Sequence, residues 1–181
     1  DGYGAARGYE EAAKLSMDKL KDFGGGLRGM DLALSCYVQR GKEEASCRLA
    51  LKKIELLEKA ARKPKVIQEA FEKCVEVHTT FEKWYPLNEI FMKYENFMTL
   101  QIGSLLNKSR SHGNELVDNV TKVYEVLDRH IENQKRLKNG AGVQLLAKVC
   151  LCLATTQDLV RVKMFLEESN QWDESMHAGP P

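Results

Sequence analysis

The sequence lacks the features that mark membrane proteins and nucleic-acid-binding proteins. Its longest unbroken apolar run is the six residues 149–154, whereas a transmembrane helix needs about 20. Lysine and arginine (27) nearly balance aspartate and glutamate (26), so no overall charge attracts nucleic acid or an anionic membrane. We therefore expect a globular protein with no transmembrane segment and no nucleic-acid partner.

A disulfide framework is not expected either, because the chain has five cysteines, an odd number. Four of them fall on apolar helix faces, where a free thiol acts as a small hydrophobic side chain. This pattern favours a reducing compartment, and we predict a cytoplasmic protein. Two glycosylation sequons, which begin at Asn107 and Asn119, keep secretion as the alternative.

The alternation of apolar and polar residues that is typical of strands is almost absent. Instead, apolar residues recur every three or four positions from Tyr9 to Ser169, which predicts amphipathic helices around a shared core. We predict an all-α fold of seven to eight antiparallel helices, arranged as a helical bundle or a short α-solenoid. Residues 9–170 are predicted to form a single domain, with a disordered stretch at 1–8 and a flexible tail at 171–181.

Glycine and proline set the predicted helix ends. The glycines at 24–26 are predicted to end a first helix that begins near Tyr9, because three glycines are costly inside a helix. Gly41 is predicted to end the second helix. Pro64 suits the start of the fourth helix, whereas Pro86 is predicted to end it.

Catalytic and metal-binding signatures are also missing. Cys74 and His78 lie one helical turn apart and could both face a zinc ion, but no Cys-x-x-Cys pair supplies further ligands. Both residues also lie on an apolar helix face, which favours core packing. The glycines at 24–29 are followed by no Gly-Lys-Ser/Thr, so they do not form a phosphate loop. We predict that the protein is not an enzyme and that it binds no metal or cofactor.

Two signals point to contact with another protein. Residues 42–65 carry eight lysines and arginines against four glutamates, a surface that would attract an acidic segment of a partner or a lipid head group. Aromatic residues, which often anchor interfaces, crowd around Pro86, although they could equally belong to the core. The predicted partner-binding residues are Lys52, Lys53, Arg62, Lys63, Lys65, Trp84, Tyr85 and Trp172.

Two helical hairpins resemble parts of known helical repeats. The residues that carry the resemblance are Tyr37-x-x-x-Gly41, Ala45 and Leu49 in the first hairpin, and Leu153-x-x-x-Gln157, Val162 and Leu166 in the second. The first hairpin resembles part of a tetratricopeptide unit, and the other resembles a degenerate copy of it. Residues 148–169 are also similar to late hairpins of the soluble attachment proteins that serve vesicle fusion. The resemblance covers about a third of the chain and implies a scaffold that binds other proteins without catalysis.

From this resemblance and by elimination, we predict a non-enzymatic protein-interaction or scaffold module. It would bind a partner helix or an acidic segment in a groove between helices. Two alternatives remain open. One is a secreted four-helix cytokine-like ligand, which the chain length suits. The other is a carrier of a hydrophobic ligand, which would need a cavity inside the bundle.

Overall fold

The computed structural model describes residues 2–107, 113–137 and 147–152, together with Met164 and Glu167. Within these residues all regular secondary structure is helical and no strand occurs, which confirms the predicted all-α fold. In the same parts of the chain, every helix is either too short or too polar to cross a lipid bilayer.

The chain divides into two compact units, Asp1–Lys83 and Trp84–Pro181. The single domain expected over 9–170 stays a prediction. The expected tail at 171–181 lies outside the described residues. So do the residues that carry the resemblance in the second hairpin, which are Leu153, Gln157, Val162 and Leu166.

Four helices of equal length build the N-terminal unit. They are α1 (Gly2–Asp18), α2 (Phe23–Gln39), α3 (Glu43–Lys59) and α4 (Pro64–Thr80), each of 17 residues. Consecutive helices pack against one another, α1 on α2, α2 on α3 and α3 on α4. The starts of α1 and α3 lie 41 residues apart, and so do the starts of α2 and α4. The unit is therefore a pair of helical hairpins with one common spacing.

Three helix ends in this unit close with the same hydrogen bonds. After α2, α3 and α4, the second N–H beyond the C-cap donates to the carbonyl of the third-last helical residue. The donor and acceptor pairs are Lys42 and Tyr37, Arg62 and Leu57, and Lys83 and His78. The residue before each donor has a positive φ, and these residues are Gly41, Ala61 and Glu82. This arrangement is the Schellman motif, and it confirms the predicted helix stop at Gly41.

The two hairpins also bury equivalent positions. The buried residues of α2 are Gly26, Met30, Ala33, Leu34 and Tyr37. The positions 41 residues later, in α4, are all buried as well. The apolar stripe that the sequence predicts for α4 is thus confirmed from Ile67 to His78.

The glycines at 24–26 lie in the first turns of α2, so the prediction that they end a helix is wrong. Asp22 caps α2, because its side chain accepts a hydrogen bond from the Gly25 amide at 2.8 Å. Small residues let α1 approach α2 closely, since a Cβ at Gly29 would lie 2.9 Å from the Cβ of Ala13. Packing against α1 offsets the conformational cost that glycine imposes on a helix.

The start of α1 at Gly2 lies inside the stretch 1–8 that the sequence predicts to be disordered. Ala5 and Ala6 favour a helix, and Ala6 is fully buried. Tertiary packing of an amphipathic face stabilises such a helix even where its own propensity is low. The glycines at 4 and 8 are therefore tolerated.

The prolines act at helix starts. Pro64 is the first residue of α4, as predicted. Pro86 does not end α4, contrary to the prediction, because α4 already ends at Thr80. Pro86 lies instead in the first turn of the next helix, where a missing N–H donor costs little.

The C-terminal unit contains α5 (Trp84–Asn107) and α6 (Gly113–Arg136), which pack against each other. Residues 147–152 are also helical and belong to the seventh helix expected from the sequence. The buried apolar residues of α5 and α6 are Leu87, Ile90, Phe91, Tyr94, Met98, Val123, Val126, Leu127 and Ile131.

Candidate functional site

The basic residues predicted to bind a partner fall into different settings in the N-terminal unit. The Lys53 ammonium forms an ion pair with Asp31 of α2. The Arg62 guanidinium lies 4.7 Å from the centre of the Phe23 ring, a cation–π contact. These two cations therefore have partners within the unit and contribute to packing between its helices.

The remaining three predicted lysines are exposed. Lys63 and Lys65 flank the proline that starts α4. Lys52 lies on α3 and lines a cleft that faces α1. Of the five predicted cations, Lys52 thus lies at a cleft.

The predicted aromatic residues also differ in their contacts and in their exposure to solvent. The Trp84 carbonyl accepts a hydrogen bond from the Asn133 side chain at 3.0 Å, and the Arg136 guanidinium lies 4.6 Å from the centre of the Trp84 ring. Trp84 is half-buried, whereas Tyr85 is 73% exposed. Trp172 lies outside the described residues.

A cleft of about 210 Å³ opens between α1 and α3. The α1 residues that line it follow the helical spacing of one face, and so do those of α3. The apolar residues of this α1–α3 cleft are Ala13, Met17, Met30, Leu49 and Leu56, and its charged residues are Glu10, Lys14, Asp18 and Lys52. Methionine side chains are flexible and adapt to differently shaped apolar groups. The cleft therefore combines an apolar lining with charges from two helices.

Glu10 is already engaged by residues of its own unit. Two nitrogens of the Arg48 guanidinium donate hydrogen bonds to its carboxylate at 2.9 and 3.0 Å, and the Tyr37 hydroxyl donates another at 3.2 Å. The hydrogen bonds from Arg48 hold the pKa of Glu10 below its ordinary value, although partial burial acts in the opposite direction. This bidentate pair joins α1 to α3, and the positive charge of Arg48 offsets the negative charge of Glu10.

The other charged residues of the cleft differ from Glu10 in that they form no such bonds. Lys14, Lys52 and Asp18 are all exposed, and none forms a hydrogen bond or ion pair with a residue that the structure describes. The charge of Lys52 does act through space on Glu10, where it contributes to the lowered pKa of that carboxyl. Two lysines on opposite walls of one cleft, neither of them in a hydrogen bond or ion pair among the described residues, can attract a further negative group.

A second polar group lies in the C-terminal unit, and the sequence reasoning missed it. Glu95 of α5 and His130 of α6 are 2% and 4% exposed, and the carboxylate bonds to Nδ1 of the ring. His130 Nε2 lies 2.6 Å from the Asn88 side-chain oxygen, which also accepts from Gln134 at 2.6 Å. Lys148 donates to the second Glu95 oxygen at 3.1 Å. We call these five residues the Glu95–His130 network.

Both ring nitrogens of His130 are engaged by neighbouring side chains. Nδ1 bonds to the Glu95 carboxylate, and Nε2 lies beside the Asn88 side-chain oxygen. The oxygen and nitrogen of a side-chain amide are told apart by their hydrogen-bond partners, and a half-turn of the Asn88 amide would place its N–H group beside Nε2 instead.

The centre of the network, Glu95 and His130, is buried, whereas Lys148 at its edge is exposed, and the group has the character of a structural element. The Phe91 ring stacks on His130 with ring centres 5.5 Å apart. Burial, and secondarily the charge of Glu95, raises the pKa of the Cys152 thiol, which keeps it protonated and a poor nucleophile. The side-chain oxygen of Asn133 is buried without a hydrogen-bond partner among the described residues.

Cys74 and His78, considered above as zinc ligands, are both buried in the N-terminal unit. His78 Nδ1 lies 2.8 Å from the Cys74 carbonyl, one turn earlier on the same helix, so this nitrogen is engaged within α4. Burial lowers the pKa of His78, which keeps the ring neutral. In the described parts of the chain, no three His, Cys, Asp or Glu side chains converge so that they could hold a metal ion.

Comparison with known proteins adds no relative to this picture. No protein-family model matches the chain, and no curated protein matches it significantly. The functional argument therefore depends on the geometry of the chain itself.

A signal for the Glu95–His130 network was present in the sequence. The stripe of α6 runs through Val123 and Leu127 and continues, at the same spacing, as polar residues at 130, 133 and 134. A helix stripe that changes from apolar to polar while keeping its period indicates buried polar residues that need partners. The α1–α3 cleft had no such signal, because a concave surface depends on how helices are placed in space.

Proposed function

We propose that the protein is a non-enzymatic interaction module that binds a partner helix, or an acidic segment, in the α1–α3 cleft. The observation that carries the proposal is an apolar cleft between two helices whose rim holds two lysines that form no hydrogen bond or ion pair among the described residues. An amphipathic helix placed in an apolar groove is a recurring mode of protein recognition.

The size of the cleft favours a protein partner over a carried lipid. Its volume of about 210 Å³ is below the range of about 300–1,000 Å³ that is typical of small-molecule sites. Such a volume suits one or two anchoring side chains of a partner. We therefore propose this cleft as a site for a protein partner and not for a carried lipid.

The paired hairpins support the same function. Stacked helical hairpins create extended surfaces that many repeat proteins use for binding. The hairpin spacing of 41 residues is longer than the about 34 residues of a tetratricopeptide unit. The relation to tetratricopeptide and attachment proteins thus remains a proposal, as does a cytoplasmic location, which the odd number of cysteines supports.

A selection experiment with a matched pair of variants tests the proposed site. Helical peptides that bind the intact chain are selected from a display library, and their affinity is then measured for Leu56→Glu and for Leu32→Glu. Leu56 lines the cleft, whereas Leu32 is an exposed leucine of α2 that does not. We expect Leu56→Glu to weaken binding by about tenfold or more, because a charge enters the apolar lining.

The matched variant Leu32→Glu is expected to bind as the wild type does. Circular dichroism on both variants establishes that the helices are retained. If the library yields no binder, or if the two variants bind equally well, the cleft is not the binding site and the proposal is wrong.

A further inference from the structure

The charges around the α1–α3 cleft indicate which partner it fits, an inference that depends on the proposed function. The Glu10 carboxylate accepts hydrogen bonds from Arg48 and Tyr37, and Arg48 provides its counter-charge inside the unit. The remaining charges of the lining are then Lys14 and Lys52 on the positive side and Asp18 on the negative side.

The two lysines converge on the cleft from different helices. Lys14 extends from α1 and Lys52 from α3. An anion placed between the two helices would be attracted by both ammonium groups, and a carboxylate accepts hydrogen bonds from such groups. The middle of the cleft is therefore complementary to an acidic side chain.

Asp18 gives the cleft a direction. It lies one helical turn beyond Lys14 on α1, which places the two residues about 6 Å apart along the helix axis. A helix that lies along α1 would face a positive charge first and a negative charge one turn later. Like charges placed against each other are unfavourable, so the reverse orientation is disfavoured.

The apolar lining of the cleft indicates which apolar side chains of a partner would fit. Met17 is half-buried in the lining, whereas Met30 and Leu49 are buried at the base of the cleft. Flexible methionines can accommodate leucine, methionine or phenylalanine equally. The cleft volume of about 210 Å³ limits the number of such anchors.

We infer that the occupant is a helix of another protein with one bulky apolar anchor, an acidic residue opposite Lys14 and Lys52, and a basic residue one turn away opposite Asp18. The acidic and basic residues fix the direction in which the helix lies. The apolar anchor supplies affinity, whereas the charges supply specificity and speed of association.

The experiment compares two selections from one library of helical peptides. The first uses the intact wild-type chain, and the second uses the double variant Lys14→Glu/Lys52→Glu. Both lysines are exposed, so their replacement leaves the helical core unchanged. We expect wild-type binders to be enriched in Asp or Glu beside the apolar anchor, and binders of the variant to be enriched in Lys or Arg there. Each selected peptide should lose about tenfold or more in affinity for the other protein.

A second charge-reversed protein controls for long-range attraction. Lys63→Glu/Lys65→Glu changes the net charge equally, but at exposed positions that do not line the cleft. Wild-type binders should keep their affinity for it within about twofold at physiological salt. If this control weakens binding as much as the cleft variant does, only net charge matters and the inference is overturned.

The outcomes separate this inference from the proposed function. If Leu56→Glu abolishes binding but acidic residues are not enriched, the cleft binds a helix and the charge pattern is wrong. If Leu56→Glu has no effect, the proposed site itself is wrong.

Discussion

The two units of the chain handle their charged residues differently. In the N-terminal unit, the ion pairs between elements, such as Arg48 with Glu10 and Lys83 with Glu43, remain partly exposed at the surface. In the C-terminal unit, Glu95 and His130 are withdrawn almost completely from water. An exposed pair can lose a partner to water at little cost, whereas a buried charge that loses its partner has nothing to replace it. The charges of the first unit thus stay accessible at its surface, while the buried charges of the C-terminal unit hold its helices together.

The largest expected effect comes from breaking the buried pair. Glu95→Ala leaves His130 and Lys148 without their common anion, and we expect the free energy of unfolding to fall by about 3–5 kcal/mol. The change can be followed by urea denaturation with Trp84 fluorescence in a Trp172→Phe background, since the chain has 2 tryptophans.

The matched variant in the other unit is Glu10→Ala. Its pair is partly exposed, so the expected loss is about 0.5–1 kcal/mol. Replacing Glu95 and His130 together by leucine should recover much of the loss from Glu95→Ala, because no unpaired charge remains between the two helices. Equal losses from Glu10→Ala and Glu95→Ala would remove the distinction between the units.

A medium effect is expected where the N-terminal unit depends on close packing instead of charge. A Cβ at Gly29 would lie 2.9 Å from the Ala13 Cβ and 3.2 Å from the Tyr9 carbonyl oxygen. Gly29→Ala should therefore destabilise the unit by about 1–3 kcal/mol, even though alanine favours a helix.

Gly8→Ala is the matched control, since nothing lies within 4 Å of a Cβ at that position of α1. It should stabilise the protein by up to about 1 kcal/mol, the difference in helix propensity. Thermal unfolding followed by circular dichroism measures both variants. A stabilising Gly29→Ala would show that α1 and α2 can move apart freely.

The smallest effect concerns the pH dependence of the N-terminal unit. The pKa of Glu10 is lower in the folded protein than its ordinary value of 4.5, so the stability it contributes is present above that value and is lost as the pH falls through the folded pKa. Because the group is partly exposed and screened, we expect about 0.5–1 kcal/mol.

Comparison of the wild type with Glu10→Gln at neutral and acidic pH measures this contribution. The difference in stability should be present at neutral pH and vanish in acid. The matched control is Glu11→Gln, at an exposed position that pairs with Arg7 at 3.7 Å on the same helix. A difference for Glu10→Gln that persists in acid would contradict the assignment.

The sequence was sufficient to predict the helical class, the helix stop at Gly41, the helix start at Pro64 and the buried stripe of α4. Each of these depends on local propensity and on period, which are properties of consecutive residues. It was not sufficient for the glycines at 24–26. Their local cost argues against a helix, whereas close packing against α1, a tertiary effect, favours one.

The candidate site was predicted less well, for a related reason. Charge density along residues 42–65 does not say which cations lie beside a cleft, and in the structure Lys52 does while Lys53 pairs with Asp31. Lys14 and Asp18, which complete the rim, lie on another helix. The Glu95–His130 pair joins residues 35 positions apart, and its register depends on how α5 and α6 are packed.

The equal helices of the N-terminal unit have a consequence for how it acquires its structure. Its main packing contacts join helices that are neighbours along the chain. The helices that must pack together are therefore connected by short loops. Short loops close with a small loss of chain entropy, and proteins rich in such local contacts fold fast. Assembly of this unit can therefore begin in either hairpin and spread to the other.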